Sequence, residues 1–427
     1  MHPQRLRPQC ELRDGNDKLP QRAARTGLRA PCAVEKTVAL MTETSERLAI
    51  ASDVHLEHEG SERSAGRLAR LLASHAGHEV VLAGDIFNLS LDAPSRDPGE
   101  SVASIVAQYP ELVTALRAHL AGGHALTLIA GNHDAGVLAR GTRERLLELC
   151  GVGAAARLAI EPWFIRRGDL HVEHGHAYDP DNAPAHPLAV WSPETEPLGI
   201  SLTRRFLSPH DAFTFAHAHH TTPLQGLLHA FKTFRGRAPL MVVHYFATST
   251  RLAAEAAVPE RMGAEKARGA AALAAFAERV QLPIDVVATL LDALPRPTHE
   301  DFKQTFFRLY FDRVLATVGV AGGAARILLG GAGVVGGALA LSGALYLHHS
   351  TKKGVDRYSS LPVKRLYEGA ALVKRITGAK LVIFGHTHCE DQADGYMNSA
   401  SFAYTSRKGS PYLLASPNGT AERREVA

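Results

Sequence analysis

The chain has 427 residues, 45% hydrophobic and 21% charged, the composition of a globular protein long enough for one large domain or two ordinary ones. Its formal charge of +4 lies wholly in the first forty residues, which hold eight basic against four acidic side chains; from Met41 onward there are 39 of each. That balance gives no basis for the broad basic surface of a nucleic-acid enzyme. The four cysteines (Cys10, Cys32, Cys150 and Cys389) lack CxxC spacing and offer neither a disulfide framework nor a zinc-ribbon site, in keeping with a reducing compartment.

Residues 1–46 have no apolar periodicity and no apolar core of a secretory signal, and their acidic residues set them apart from an Arg-rich transit peptide. They are expected to be a disordered extension, with Met41 a natural start. Residues 48–51 then form a short apolar run ending at Ser52-Asp53, and Leu68, Leu71 and Leu72 recur at helical spacing. The continuous apolar run 80–83 reads as a doubly buried strand ending at Gly84-Asp85. Val102, Ile105, Val106, Tyr109, Val113, Leu116 and Leu120 make a helical stripe bent at Pro110. The run 126–130 is a further buried strand, ending at Gly131-Asn132. This alternation of buried strand and helix predicts a layered α/β sheet.

The pattern then changes. Residues 163–165 and 170–172 flank a Gly168-Asp169 turn and read as a hairpin leading to His174-Gly175-His176. Residues 181–375 contain no further strand-then-ligand unit; they form a mainly helical insert, with helices expected near 265–280 and 361–376. After it, 380–384 is a buried strand ending at Gly385-His386, and 396–398 and 411–415 are closing strands. The catalytic fold is therefore split, with 47–180 and 376–427 flanking 181–375.

Open α/β sheets bind ligands beyond the carboxyl ends of their strands. Those ends carry Asp53, His55, Asp85, Asn132, His133, His174, His386 and His388. A mixed carboxylate, imidazole and amide donor set suits Mn²⁺, Fe or Zn²⁺ better than Ca²⁺ or a thiolate zinc. Asp53-Val54-His55, Gly84-Asp85, Gly131-Asn132-His133-Asp134, His174-Gly175 and Gly385-His386-Thr387-His388, in this order, resemble the blocks of the calcineurin-like metallophosphoesterase superfamily. The resemblance covers a little under half of the chain, and its motifs are specific as a set.

The resemblance implies an αββα sandwich and a centre of two divalent metal ions, Mn²⁺ first. One ion would be held by Asp53, His55 and His388, the other by Asn132, His174 and His386, with Asp85 bridging. A hydroxide shared by the two cations would attack phosphorus in line. His133 would protonate the leaving alkoxide or stabilise its charge, and Asp134 would orient its imidazole. His176 is left between substrate contact and a supporting role, and Asn88 stands where relatives often carry an acid and has no assigned role. Three other signals are set aside. His217, His219 and His220 have no accompanying acid. Asp179-Pro180-Asp181-Asn182 lacks the Gly and Glu of a calcium loop. The run 331–336 fits G-x-G-x-x-G without the second strand that a dinucleotide site needs.

The stretch 327–347 is uncharged and long enough to span a bilayer. One crossing would strand the two halves of the metal site on opposite sides, so 314–347 is expected to form a Gly-mediated helical hairpin, through Gly333 and Gly337, buried in the insert or dipping into one leaflet. The expected protein is a cytoplasmic-facing phosphoester hydrolase, with membrane association through this tract and a lipid-linked or amphiphilic phosphoester as substrate. Lipid A pathway UDP-2,3-diacylglucosamine hydrolases are similar in the 84–87 block but are shorter and lack the insert. An inactive binding scaffold and a nucleotide phosphodiesterase or nuclease remain the alternatives, and nucleic acid is not an expected partner.

Overall fold

Strands β1 (Leu48–Ala51), β2 (Glu79–Ala83) and β3 (Leu126–Ile129) are buried at every position, as their largely apolar runs require, with Thr127 donating to Glu79 across β2 and β3. The computed structural model describes residues 47–93, 95–212, 223–329, 333–352, 361–405 and 407–427. The expected disorder of 1–46 and the 217–220 histidine cluster lie outside the described residues. β1, β2, β3 and a short β4 (Leu158–Glu161) pair in parallel. A second sheet holds β5 (Phe164–Arg167), β6 (Leu170–Glu173), β7 (Leu381–Phe384), β8 (Gln392–Ala393) and β9 (Tyr396–Asn398) in the order β5-β6-β7-β9-β8. β5 and β6 form the expected antiparallel hairpin, while β6, β7 and β9 run parallel. β10 (Ser410–Ser416) and β11 (Thr420–Val426) return to complete the first sheet as β11-β10-β1-β2-β3-β4.

The two sheets meet face to face. Leu48, Ile50, Val81 and Ile129 of the first interleave with Val172, Ile383 and Met397 of the second. Because strand side chains alternate, Ala49, Val80 and Leu82 point the other way. There they pack under α1 (Glu62–Ser74), α2 (Pro98–Ala107), α3 (Pro110–Ala121) and α4 (Thr142–Cys150). The single bent stripe expected over 102–120 is two helices, since Pro110 has no N–H to continue a helix and opens α3 instead.

Further helices are α5 (Leu198–Leu202), α6 (Pro223–Phe234), α7 (Ala238–Ala256), α8 (Gly263–Arg279), α9 (Ile284–Asp292), α10 (Phe302–Arg308), α11 (Phe311–Leu328), α12 (Gly333–Lys352) and α13 (Leu361–Thr377). Three of them cover the second sheet. Phe276 of α8, Val287 and Leu290 of α9, and Leu366 and Val373 of α13 pack on Phe164, Val382 and Phe384. So part of the helical stretch between β6 and β7 is the outer layer of the αββα sandwich.

Ile327 and Leu328 close a helix, so no strand precedes the Gly-rich run and a dinucleotide-binding turn is ruled out. α11 and α12 do form a hairpin, but not through the expected glycines. A β-carbon on Gly333 or Gly337 would meet nothing, whereas one on Gly323 would stand 2.4 Å from Gly336 O and one on Gly343 2.5 Å from Ala316 O. Among the described residues no helix is long and apolar enough to cross a membrane. Cys150 is a buried free thiol.

Candidate metal centre

Every ligand block follows directly on a strand, and the blocks of both sheets converge at one edge. The turns after β1 and β2 run side by side, with Asp53 N donating to Gly84 O and His55 N to Asp85 O, both at 3.0 Å. The side chains gather into two groups, Asp53–His55–His388 and Asp85–His174–His386, each with its ligand atoms within 4.8 Å of one another.

Backbone conformation explains how so many polar groups face inward together. Asp53, His55, Asp85, His386 and His388 all have positive φ, from 48° to 69°, a region that side chains enter only at a cost of about 1–3 kcal/mol. Neighbouring glycines make the room. A β-carbon on Gly84 would lie 2.4 Å from the His174 ring, one on Gly131 2.2 Å from Asp85 Oδ1, and one on Gly385 2.7 Å from Asp53 Oδ2. Each ligand block thus occupies the space that a glycine of another block leaves open.

In the first group, His388 Nε2 is 3.0 Å from Asp53 Oδ1 and 3.2 Å from His55 Nε2. Asp53 Oδ1 is buried and faces the His388 imidazole, while Asp53 Oδ2 accepts from Ser52 Oγ and from His386 N. In the second group, His174 Nδ1 is bound to Ala83 O at 2.9 Å, which turns Nε2 toward Asp85 Oδ2 at 3.2 Å and Asn132 Oδ1 at 3.1 Å. Asp85 Oδ1 accepts from His133 N at 2.8 Å. Buried carboxylate oxygens and imidazole nitrogens turned onto one point fit a divalent cation in each group. Asn132 joins the second group through its amide oxygen.

Charge balance in the centre follows from burial and pairing. Burial, aided by His388 and His133, pushes His55 down to about 3, so its imidazole stays neutral and keeps a lone pair. Burial acts the same way on His174, but the Asp85 charge and hydrogen bond overcome it and raise that group to about 9. Asp85 is held well below its usual value against burial, chiefly by His174 and then His133.

His133 lies beside the groups, its ring centroid 5.2 Å from that of His55. The expectation that Asp134 orients its imidazole is corrected. Asp134 is fully buried and accepts from the amides of Ile86 (2.6 Å), Gly131 (2.7 Å), Phe87 (3.2 Å) and Asp85 (3.3 Å), stapling the turns after β2 and β3. The imidazole is held instead by Ser90 Oγ at 2.8 Å and Asn88 Oδ1 at 3.1 Å from Nδ1, and Asn88 Nδ2 donates to Glu57.

Asp179 was dismissed in the sequence together with its failed calcium loop. Its carboxylate lies 3.1 Å from His386 Nε2, accepts from Asn182 Nδ2, and is pulled down to about 2 by the His386 hydrogen bond against the opposing effect of burial. Its place one block after His174-Gly175-His176 was the only local signal. His176 is buried against the His174 and His386 rings, with Nδ1 unpartnered among the described residues. Asn398 donates to Gly385 O at 2.7 Å and Ser399 Oγ bonds Ser52 Oγ at 2.7 Å, so the 398–399 block fixes the turns that carry Asp53 and His386. Tyr404, which the sequence did not single out, packs its ring on both His55 and His388.

Residues 46–244 match the family model described as calcineurin-like phosphoesterase. No curated protein matches the chain. The matched stretch holds Asp53 through His174; His386 and His388 lie beyond it and complete both groups. The match over 46–244 supports the calcineurin-like metallophosphoesterase superfamily for this chain.

Proposed function

We propose that the protein hydrolyses phosphoesters at a centre of two divalent cations, one held by Asp53, His55 and His388 and one by His174, His386 and Asn132, with Asp85 shared. The observation that carries this reading is the pair of facing ligand groups, each within 4.8 Å and made of buried or half-buried donors. The oxygen-rich and imidazole donors suit Mn²⁺, then Fe or Zn²⁺. When bound, such ions supply charge neutralisation and polarisation of a phosphoryl oxygen.

The protein's own groups set the rest. Asp179 accepts a hydrogen bond from His386 Nε2–H, leaving Nδ1 with the lone pair. Asn88 and Ser90 occupy His133 Nδ1, so Nε2 is the nitrogen left for the leaving oxygen of a substrate. A cleft of about 210 Å³ opens next to Asp179, lined by Gln304, Phe307, Arg308 and Arg365 among others. Phe307 supplies an aromatic wall, and the two guanidinium groups, Arg308 paired with Asp181 and Arg365 beside Asp179, favour an anionic group able to compete with those carboxylates and carrying an apolar portion, an amphiphilic phosphoester. The full set of ligands weighs against an inactive scaffold, and the balanced charge from Met41 onward against a nuclease.

The test is turnover of an aryl phosphomonoester and an aryl phosphodiester by the purified protein with Mn²⁺ added. Asp85→Asn is expected to abolish turnover and metal binding together. Unchanged rates in that variant would sink the shared-ligand role, and absence of turnover with every cation and substrate would favour the scaffold.

A further inference from the structure

We propose that the α11–α12 hairpin docks on a bilayer of anionic lipid, its closed end entering the acyl region of one leaflet. The hairpin is built inside out for water. A water-exposed helix pair ordinarily turns its large apolar side chains toward its partner and its small or polar ones outward. Here the contact is backbone against backbone: a β-carbon on Gly323 would clash with Gly336 O, and one on Gly343 with Ala316 O. Large side chains are thereby driven to the outside. Leu328, Leu329 and Val334, at the closed end, are 85%, 86% and 87% exposed, and Leu315, Val318, Leu341 and Leu345 are exposed along the shaft. Small-residue contact with outward-facing leucine and valine is the packing used where the surrounding medium is hydrocarbon.

Charge complementarity identifies the medium. From Asp312 to Asp356 the sequence contains no acidic residue between those two positions. Arg326 is exposed and stands half a turn before Leu328, about 3 Å along the axis at the 1.5 Å rise of a helix. At that height its guanidinium reaches the phosphate level while Leu328, Leu329, Val334 and Val335 lie below it, the depth of roughly 5–10 Å at which interfacial elements settle. Neither helix is apolar enough to cross, which agrees with docking on one leaflet. The chain is continuous from the cleft to the membrane face: α10, which contributes Gln304, Phe307 and Arg308 to the cleft, leads through Leu309 and Tyr310 into α11.

Flotation of the full-length protein with vesicles tests this without relying on catalysis. Vesicles of phosphatidylcholine with 30% phosphatidylglycerol and vesicles of phosphatidylcholine alone would be compared. The wild type is expected to float with the anionic vesicles and to partition about fivefold less onto neutral ones, the effect of one interfacial arginine. The variant L328E/L329E/V334E is expected to lose binding to both while keeping its thermal transition and its aryl phosphate turnover. Arg326→Ala is expected to reduce the difference between the two vesicle types. Wild-type protein that stays in the aqueous fraction with both vesicles overturns the proposal, as does a triple variant that floats like wild type. Dissociation of a dimer by the triple variant, with no flotation of the wild type, would assign the hairpin to a second copy of the chain. Equal binding to neutral and anionic vesicles would overturn the charge argument.

Discussion

Asn88 Oδ1 lies 3.1 Å from His133 Nδ1, so a neutral amide holds the imidazole beside the two candidate ligand groups. Truncation by Asn88→Ala leaves Ser90 as the remaining partner of Nδ1. We expect kcat to fall roughly tenfold with little change in KM or metal content, since positioning of a general acid or base is a fraction of the 10²–10⁴ that the group itself supplies. His133→Ala should cost more, and most for substrates with poor leaving groups. Equal loss in His133→Ala for good and poor leaving groups would count against its action on the leaving oxygen.

Asp134 is expected to behave as a structural residue. Asp134→Ala removes the acceptor of four buried amides, each costing about 1–3 kcal/mol when left unpaired. Urea unfolding should report a loss of at least about 2 kcal/mol. A variant with native stability and a selective loss of kcat would return Asp134 to the catalytic machinery.

Gly131 faces Asp85 so closely that a methyl group cannot be added without moving the carboxylate. Gly131→Ala should lower metal affinity by about 10–100-fold, read by titration of the metal-free protein with Mn²⁺. Gly77→Ala provides the contrast, because a β-carbon there meets nothing, although its φ of +89° carries a backbone cost. Its folding should suffer while its metal affinity does not.

Arg365 sits 3.8 Å from Asp179 and lines the cleft with its side chain about a third exposed. Arg365→Ala is expected to raise KM for an anionic phosphoester by roughly tenfold with a smaller effect on kcat, and Arg365→Lys to recover part of the loss. A KM unchanged in both would remove the cleft from substrate binding.

Acid should weaken the helical region through His299. Burial, and then Arg261, push its pKa from 6.5 down to about 3. Between those values the unfolded chain binds a proton that the folded chain refuses, so stability falls as pH falls, by at most about 1.4 kcal/mol per pH unit from this residue. From pH 7 to pH 5 the wild type should lose about 2 kcal/mol more than His299→Leu in urea melts. Parallel losses in the two proteins would refute the assignment.

The ligand blocks were legible because each ends a run of apolar residues whose burial could be read directly, as at 80–83 before Gly84-Asp85 and 126–130 before Gly131-Asn132. Residues acting through others were not. Asp179 and His386 are more than two hundred positions apart, and no local pattern announces a carboxylate that meets a distant imidazole. Asp134 follows His133 in sequence, yet its side chain turns to backbone amides of another turn, a direction that spacing does not encode. β11 escaped notice for a different reason: Thr-Ala-Glu-Arg-Arg-Glu-Val lies at a sheet edge, where charged side chains can stay in water and no buried face marks the strand. The Gly333–Gly337 pairing failed because a Gly/Ala-rich helix offers several equivalent small-residue faces, and only the partner helix decides among them.

Strands β6 and β7 are hydrogen-bonded neighbours, Val172 opposite Ile383, although the whole helical stretch separates them along the chain. On a ribosome this imposes an order of events. Asp53, His55, Asp85, Asn132 and His174 emerge first, and the α11–α12 hairpin follows. His386 and His388 come only after it. Entropy of closing so long a loop grows only logarithmically, so the delay is one of timing more than of stability. A nascent chain therefore exposes its apolar hairpin while each of the two groups still lacks one member, and it meets any surface that hairpin favours before either group is complete.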